Sequence, residues 1–298
     1  MFEIPAAFAH GLGAGERGRA WLASLPALVD ELLQRWHCDP AGPARHGRVG
    51  IALPVRCRDH PPAVIKVSFP DYGSPHEPAA LAAWNGAGAV RLYEHADSSF
   101  AMLLEQARSR TLAGIADPEE ALTIQGRLAH RLAVPAPAGL PRLSDSAGAW
   151  EQEITSAMAE LADPLPKTVV AAATATLREL GAAPVETLLH GDLHDTNILA
   201  ADRESWLAID PKVHVGDPAY DAVYVLLSPR FGPLLTTTHP GPTLLRYLDI
   251  YCEAAEIDRD RARRWTQAGA VREALQARRN GEPAWLIEAF DRAAEVLT

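Results

Sequence analysis

Apolar positions along the chain fall into two rhythms, one near 3.6 residues and one near 2. Residues 24–36, SLPALVDELLQRW, place Leu25, Leu28, Val29, Leu32, Leu33 and Trp36 at helical spacing. Ser24 is positioned to cap this helix, and Pro26 falls in its first turn, where no backbone donor is missed. From Cys38 to Val67 the texture changes. GRVGIALPVRC and PAVIKVSF are β-rich runs, and RDHPP between them is a turn signal, so the spacing predicts an antiparallel hairpin. SPHEPAALAAW then predicts a helix with Glu77, Leu81 and Trp84 on one side. AVRLYEH and SFAMLLEQA predict a second strand pair across ADSS. The first hundred residues read as a small sheet carrying one main helix.

Beyond Arg108 the chain turns helical and alanine-rich. PEEALTIQGRLAHRLA and WEQEITSAMAELA are amphipathic, and the proline-rich VPAPAGLPRLSDSAG between them reads as a stiff linker. PKTVVAAATATLRELGA predicts a further helix ended by Gly181. No internal repeat is visible. The expectation is an α+β chain of two lobes, residues 1–104 β-rich and residues 105–298 larger and mainly helical.

Composition narrows the setting. The chain has 298 residues, 48% hydrophobic and 22% charged, the range of a soluble globular protein. A net charge of −10 argues against a general attraction to nucleic acid or an anionic membrane and weakly favours a cationic small molecule. Cys38, Cys57 and Cys252 are scattered and odd in number, so neither a disulfide framework nor a zinc site is expected. No run is long and apolar enough to span a bilayer, and the N-terminus lacks the pattern of a signal peptide. The expected setting is the cytoplasm, and the expected state a monomer or weak homodimer.

The densest chemistry lies in HGDLHDTNIL, His190 to Leu199. His190 and His194 are four apart, which on a helix would put both on one face, as in a zinc enzyme. However, Gly191, Asp192, Asp195, Thr196 and Asn197 favour turns over helix interiors, and short apolar runs flank them. A loop between strands fits better. Asp192 is then a loop carboxylate able to orient a hydroxyl nucleophile, and Asn197 a neutral oxygen ligand. WLAIDPK brings Asp210 at the end of an apolar run, and Asn197 with Asp210 could hold Mg²⁺ beside phosphate and water.

Phosphoryl transfer also needs a cation on the phosphates. Lys66, one of only three lysines among 28 basic residues, lies within the apolar strand AVIKV, and alternation turns it away from Ile65 and Val67. Glu77 on the next helix is placed to hold it by an ion pair. The plain alternatives are that Asp192 and Asn197 only cap turns and that Glu77 is a solvated helix residue.

AVIKV, LLHGDLHDTNIL and AIDPK, in this order and spacing, resemble the aminoglycoside phosphotransferases, relatives of the protein kinases. LAAWNGAGAVRLYEHADSSFAMLLEQA resembles more narrowly the streptomycin 6-phosphotransferase and hydroxyurea phosphotransferase group. The likeness runs from about Gly47 to Tyr224. It implies a two-lobed, protein-kinase-like fold that binds ATP and Mg²⁺. Asp192 matches the family's catalytic aspartate, Asn197 and Asp210 its magnesium ligands, Lys66 its phosphate lysine and Glu77 its lysine-holding glutamate. LLEQA matches the inter-lobe hinge, which implies adenine contacts from the backbone of Glu105 and Ala107, with Leu104 behind the ring. His190 matches a structural member of the loop, and His194 stands beside the phosphates.

Three departures accompany the match. GPARHGRVG has Gly42, Gly47 and Gly50 at irregular spacing, Asp210 is followed by Pro211 and Lys212 rather than Phe-Gly, and no activation loop precedes GDPAYD. In GDPAYDAVYVLL, Gly216 and Pro218 are expected to shape a turn, and Asp217 or Asp221 to cap the following helix and brace the loop. The implied activity is transfer of the ATP γ-phosphate to a hydroxyl of an aminoglycoside such as streptomycin. The alternatives are a kinase for hydroxyurea or a small sugar, and a nucleotide-binding pseudokinase. Asp249, Glu253 and Glu273 on the C-terminal helices are candidates for a cationic acceptor.

Overall fold

The structure is a computed structural model that describes residues 2–70, 75–162, 165–228, 230–235, 237 and 239–298. The chain divides into two compact units, Met1–Arg108 and Ser109–Thr298. The expected boundary after Leu104 would cut the last strand of the first unit, which runs to Glu105.

The first unit opens with helices α1 (Ala6–Leu12) and α2 (Glu16–Arg35). Strands β1 (Cys38–Pro40), β2 (Arg45–His46), β3 (Gly50–Cys57) and β4 (Ala63–Ser68) follow, then helix α3 (Glu77–Trp84) and strands β5 (Leu92–Ala96) and β6 (Ala101–Glu105). One antiparallel sheet has the order β1-β3-β4-β6-β5, with β2 also pairing β3. Alternation along β4 buries Ala63, Ile65 and Val67 and leaves Val64 and Lys66 half-buried on the opposite face. Leu25, Val29 and Leu32 of α2 share a core with Ile51, Leu53, Val55, Ile65 and Leu103 of the sheet. The two expected hairpins, β3–β4 and β5–β6, are both present. So is the helix after β4, although Ser74 of its expected start lies outside the described residues. Pro78 occupies its first turn, and Asn85 ends it with a left-handed backbone (φ 46°).

Two expectations fail here. Helix α2 starts at Glu16, so Pro26 lies inside it and Ser24 caps nothing; the Ser24 hydroxyl donates to the carbonyl of Trp21 at 2.8 Å. The apolar face of α2, buried on the sheet, outweighs the missing proline donor. The short strands β1 and β2 had no periodicity to reveal them. Cys38 and Cys57, expected to be unpaired, form a disulfide: β1 and β3 set them directly opposite in register, with Cα atoms 4.0 Å apart.

The second unit holds helices α4 (Pro118–Leu132), α5 (Leu143–Glu160) and α6 (Lys167–Gly181). Two small two-stranded sheets follow: β7 (Thr187–Leu189) pairs β10 (His214–Gly216), and β8 (Ile198–Ala200) pairs β9 (Trp206–Ala208). Pro218–Val225 forms a 3₁₀ stretch, and α7 (Phe231–Leu235), α8 (Gly241–Ala255), α9 (Arg259–Asn280) and α10 (Ala284–Val296) complete the unit. Helix α9 is its axis, burying Trp265, Thr266, Gln267 and Val271. Helix α5 begins seven residues before the expected Trp150, inside the stretch read as linker, because Leu143 and Ala147 bury a face there. Gly181 is the last residue of α6 rather than its stop signal. A Cβ on it would lie 2.5 Å from the Ala147 Cβ, so it is a packing glycine.

Helices α4 and α8 approach closely at Gly126, where an added Cβ would sit 2.6 Å from the Tyr251 carbonyl oxygen and 2.8 Å from the Ala254 Cβ. Backbone cannot yield as a side chain does. Gly126→Val is therefore expected to cost about 1–3 kcal/mol of stability through overpacking. The urea midpoint reads this, and an unchanged midpoint would show that α4 and α8 are not packed at that distance.

Candidate active site

In the first unit, Lys66 on β4 meets Glu77 at the start of α3. The ammonium donates to both carboxylate oxygens at 2.7 Å, with both side chains largely buried. A pair so sheltered holds the lysine in one place. Glu105 and Ala107 lie at the end of β6 and just beyond it. The Glu105 N–H donates to the Arg91 carbonyl at 2.9 Å, so a base meeting this residue's backbone would use its carbonyl.

In the second unit, β7 delivers the chain to His190 and a loop runs to β8. Gly191 takes a left-handed backbone (φ 71°), and a Cβ there would sit 2.9 Å from His214 Nδ1, so glycine is required. Asp221, fully buried, accepts the backbone N–H of His190 at 3.1 Å and of Gly191 at 2.9 Å. Burial pushes its carboxyl up to about 6, against those two bonds. Asp217 instead caps the 3₁₀ stretch through the Ala219 N–H and accepts from Arg261 and Trp265 at 2.8 Å each. The capping and bracing roles are thus split between the two aspartates.

Asp192 follows Gly191. The Asn197 amide nitrogen donates to the Asp192 carbonyl at 2.9 Å and to its carboxylate at 3.3 Å, which leaves the Asn197 side-chain oxygen as the acceptor. The Ile209 N–H donates to the Asn197 carbonyl at 2.9 Å, bringing the neighbouring Asp210 to the same place. Asp210 holds a left-handed backbone (φ 58°), an uncommon state for a non-glycine residue. Burial raises the Asp192 carboxyl to about 7; the Lys212 ammonium and the Asn197 bond oppose the shift, and Asp210 adds to it. His194 Nε2 lies 3.5 Å from the Asp192 carboxylate, and its Nδ1 bonds the Thr196 hydroxyl at 2.6 Å. Burial lowers the His194 pKa, favouring the neutral ring. His190, sealed inside, is pushed down to about 3 by burial and bonds the Ile209 carbonyl through Nε2. The two histidines therefore serve the loop separately, and among the described residues no group of three His, Cys, Asp or Glu could hold a metal. Mg²⁺ does not need one, since it commonly takes one or two protein oxygens and completes its shell with phosphate and water.

Several members of this site carried no sequence signal. Asp195 is buried and accepts from the Ser228 hydroxyl at 2.7 Å and from Arg230 at 3.1 Å. Arg230 also donates to the carbonyls of Leu112 and Ile115. Gln125 of α4 donates to the Leu193 carbonyl at 2.6 Å. Lys212 reaches Asp192 electrostatically. These partners come from distant parts of the chain, and no local pattern announces them. Of the acceptor candidates, Asp249 is exposed and faces Arg259, Glu253 is exposed, and Glu273 lines an open pocket.

Residues 35–281 match the family model described as aminoglycoside/hydroxyurea antibiotic resistance kinase. The chain belongs to this family. A streptomycin 6-kinase from Streptomyces glaucescens is 39% identical over 92% of this chain and 91% of its own length. A hydroxyurea phosphotransferase from Kitasatospora aureofaciens is 38% identical over 95% of this chain and 82% of its own. Among solved structures, the aminoglycoside phosphotransferase APH(4)-Ia superposes with a TM-score of 0.61 at 13% identity, covering 92% of this chain and 98% of that one. A macrolide 2'-phosphotransferase from Brachybacterium faecium gives 0.55 at 21% identity, covering 93% and 98%. The fold is thus the kinase-like α+β fold, and as a family member the protein is a phosphotransferase that uses a nucleotide and acts on an alcohol group of a small molecule.

The Asp221 brace generates a prediction. Asp221→Ala leaves two buried N–H groups without an acceptor, each costing about 1–3 kcal/mol. Stability and kcat should both fall, and Asp221→Asn, which keeps one acceptor, should recover part of each. Urea unfolding and steady-state kinetics measure this; equal behaviour of wild type and Asp221→Ala would remove the brace.

Proposed function

We propose that the protein is an ATP- and Mg²⁺-dependent kinase that phosphorylates a hydroxyl of an aminoglycoside antibiotic, streptomycin first, and thereby confers resistance. The mechanism is supported above all by one observation, the Asn197 amide fixed on Asp192 beside Asp210. That arrangement gives a carboxylate for the acceptor and two oxygens for a cation. Asp192 orients the acceptor hydroxyl and takes its proton as the oxygen–phosphorus bond forms and the bond to the departing ADP breaks. Asn197 and Asp210 would hold Mg²⁺, which would neutralise phosphate charge. Lys66, steadied by Glu77, neutralises charge on the nucleotide's phosphates. The carbonyl of Glu105 and the backbone of Ala107 hold adenine, and His194 keeps the Asp192 carboxylate turned to its task. The working compartment is the cytoplasm, where ATP is supplied; no described helix is long and apolar enough to cross a membrane.

Streptomycin is favoured as acceptor by the near full-length likeness to a streptomycin 6-kinase and by the net charge of −10, which attracts a polycation. Hydroxyurea is the second reading, favoured by the comparable likeness to a hydroxyurea phosphotransferase. A pseudokinase is disfavoured, because Lys66, Glu77, Asp192, Asn197 and Asp210 are all present.

Asp192→Asn should bind ATP and stay folded but lose about 10²–10⁴-fold in kcat. Asn197→Ala and Asp210→Ala should instead raise the Mg²⁺ concentration needed for half-maximal rate; Mg²⁺ titrations matching wild type would remove them as ligands. For the acceptor, mass spectrometry after incubation with MgATP should find one added phosphate on streptomycin. Its KM should rise with salt more than that of ATP, since exposed charges are screened within ~10 Å at 0.1 M ionic strength. Turnover of hydroxyurea with no streptomycin product would overturn the choice of acceptor and leave the kinase chemistry standing.

A further inference from the structure

Helices α5 and α9 of the second unit line an open pocket of about 240 Å³. Glu153 and Ile154 line it from α5, and Arg272, Glu273, Gln276 and Arg279 from α9. Four of the seven arginines on α9 hold carboxylates closely, whereas Arg259 stands 3.7 Å from Asp249 and Arg263 donates to the Thr298 carbonyl. Arg261 meets Asp217 at 2.8 Å, Arg264 meets Glu179 at 2.5 Å, Arg278 meets Asp291 at 2.7 Å and Arg279 meets Glu160 at 2.7 Å. Arg272 does not. Its nearest carboxylate, Glu153, is 3.7 Å away, beyond hydrogen-bond reach, and its Nε is buried with no hydrogen-bond partner. What holds its guanidinium is the face of Trp150, 4.1 Å from the ring centroid. The half-buried Glu273 carboxylate is raised by desolvation, and Arg272 is the charge that opposes the shift.

This cation–π seat connects to the catalytic loop. Trp150 stacks on Tyr220 with centroids 5.5 Å apart and 13° between the planes, and His214 packs against both rings. His214 Nδ1 in turn lies against Gly191, the neighbour of Asp192. An aromatic wall therefore runs from the catalytic loop to Arg272, which lines the pocket.

We propose that the Trp150 face, with Glu153 and Glu273, is a subsite for a guanidinium group of the acceptor, and that Arg272 occupies it as a stand-in until the acceptor displaces it. A planar cation between an aromatic face and two carboxylates is matched in charge and shape, and guanidinium is the side-chain cation that stacks best. Glu273, left by Arg272, regains a partner from the incoming group. Streptomycin carries guanidino groups and hydroxyurea carries no cation, so the subsite selects between the two acceptors. The inference rests on the proposed function for its catalytic meaning, but the subsite itself binds guanidinium whether or not phosphate is transferred.

The full-length protein tests it in two ways. In kinetics, Arg272→Ala removes the competitor and should lower the KM for streptomycin several-fold, with the KM for ATP unchanged. Trp150→Ala should raise the streptomycin KM by roughly 2–30-fold, the range of a cation–π contact, and Glu273→Gln should raise it as well. Trp150→Phe keeps an aromatic face in case the alanine variant does not fold, and should fall between. A KM that rises or stays unchanged in Arg272→Ala would overturn the stand-in role. Titration calorimetry with agmatine, a guanidinium that needs no turnover, separates this failure from that of the proposed function. Agmatine should bind Arg272→Ala more tightly than wild type and Trp150→Phe more weakly. Equal binding to all three would overturn the subsite, even if streptomycin is a substrate.

Discussion

One buried carboxylate carries the geometry of the catalytic loop. Asp221 sits without solvent and spends both oxygens on consecutive backbone N–H groups, those of His190 and Gly191. Burying a carboxylate is expensive, and only well-placed donors offset the cost. Because the partners are backbone, the bond fixes the path of the chain rather than one side chain. Gly191 can then turn left-handed, Asp192 emerges at a set angle, and Asn197 folds back to grip it. The same stretch that supplies Asp221 also supplies Asp217, which secures α9 through Arg261 and Trp265. The loop and the central helix of the second unit are thus referenced to one 3₁₀ segment.

The first unit solves a similar problem with an ion pair. Lys66 lies on the face of β4 opposite the core, and Glu77 meets it with both oxygens. Strand alternation chooses the face and the helix start chooses the height. The paired carboxylate oxygens hold the lysine ammonium in one position, so it has little freedom left to lose on binding a phosphate.

These features differ in how plainly the sequence shows them. The β3–β4 and β5–β6 hairpins were legible because alternation and turn residues are local. Lys66 was legible because it breaks an apolar run in a chain of arginines. HGDLHDTN was legible as a loop because its residues are poor helix formers. Helix α2 was misjudged at its start, since proline and serine inside it mimic a beginning. The Cys38–Cys57 pair was missed because strand register, not spacing, brings the two sulfurs together. Asp195 with Arg230, and Trp150 with Arg272, were invisible for a related reason: each contact joins segments far apart in the chain, and no periodicity encodes a tertiary meeting.

The disulfide has one more consequence. In the oxidised protein, with Cys38 and Cys57 joined, Cys252 is the one free thiol, and it is buried on α8. Its environment holds the thiol up at about 12, so both access and ionisation deny it to an alkylating reagent. Modification can proceed only when the packing around α8 opens. The rate at which the folded protein takes up a thiol label is therefore a native clock for opening of the helical unit, sensitive to local opening well short of global unfolding, and it requires no engineered probe.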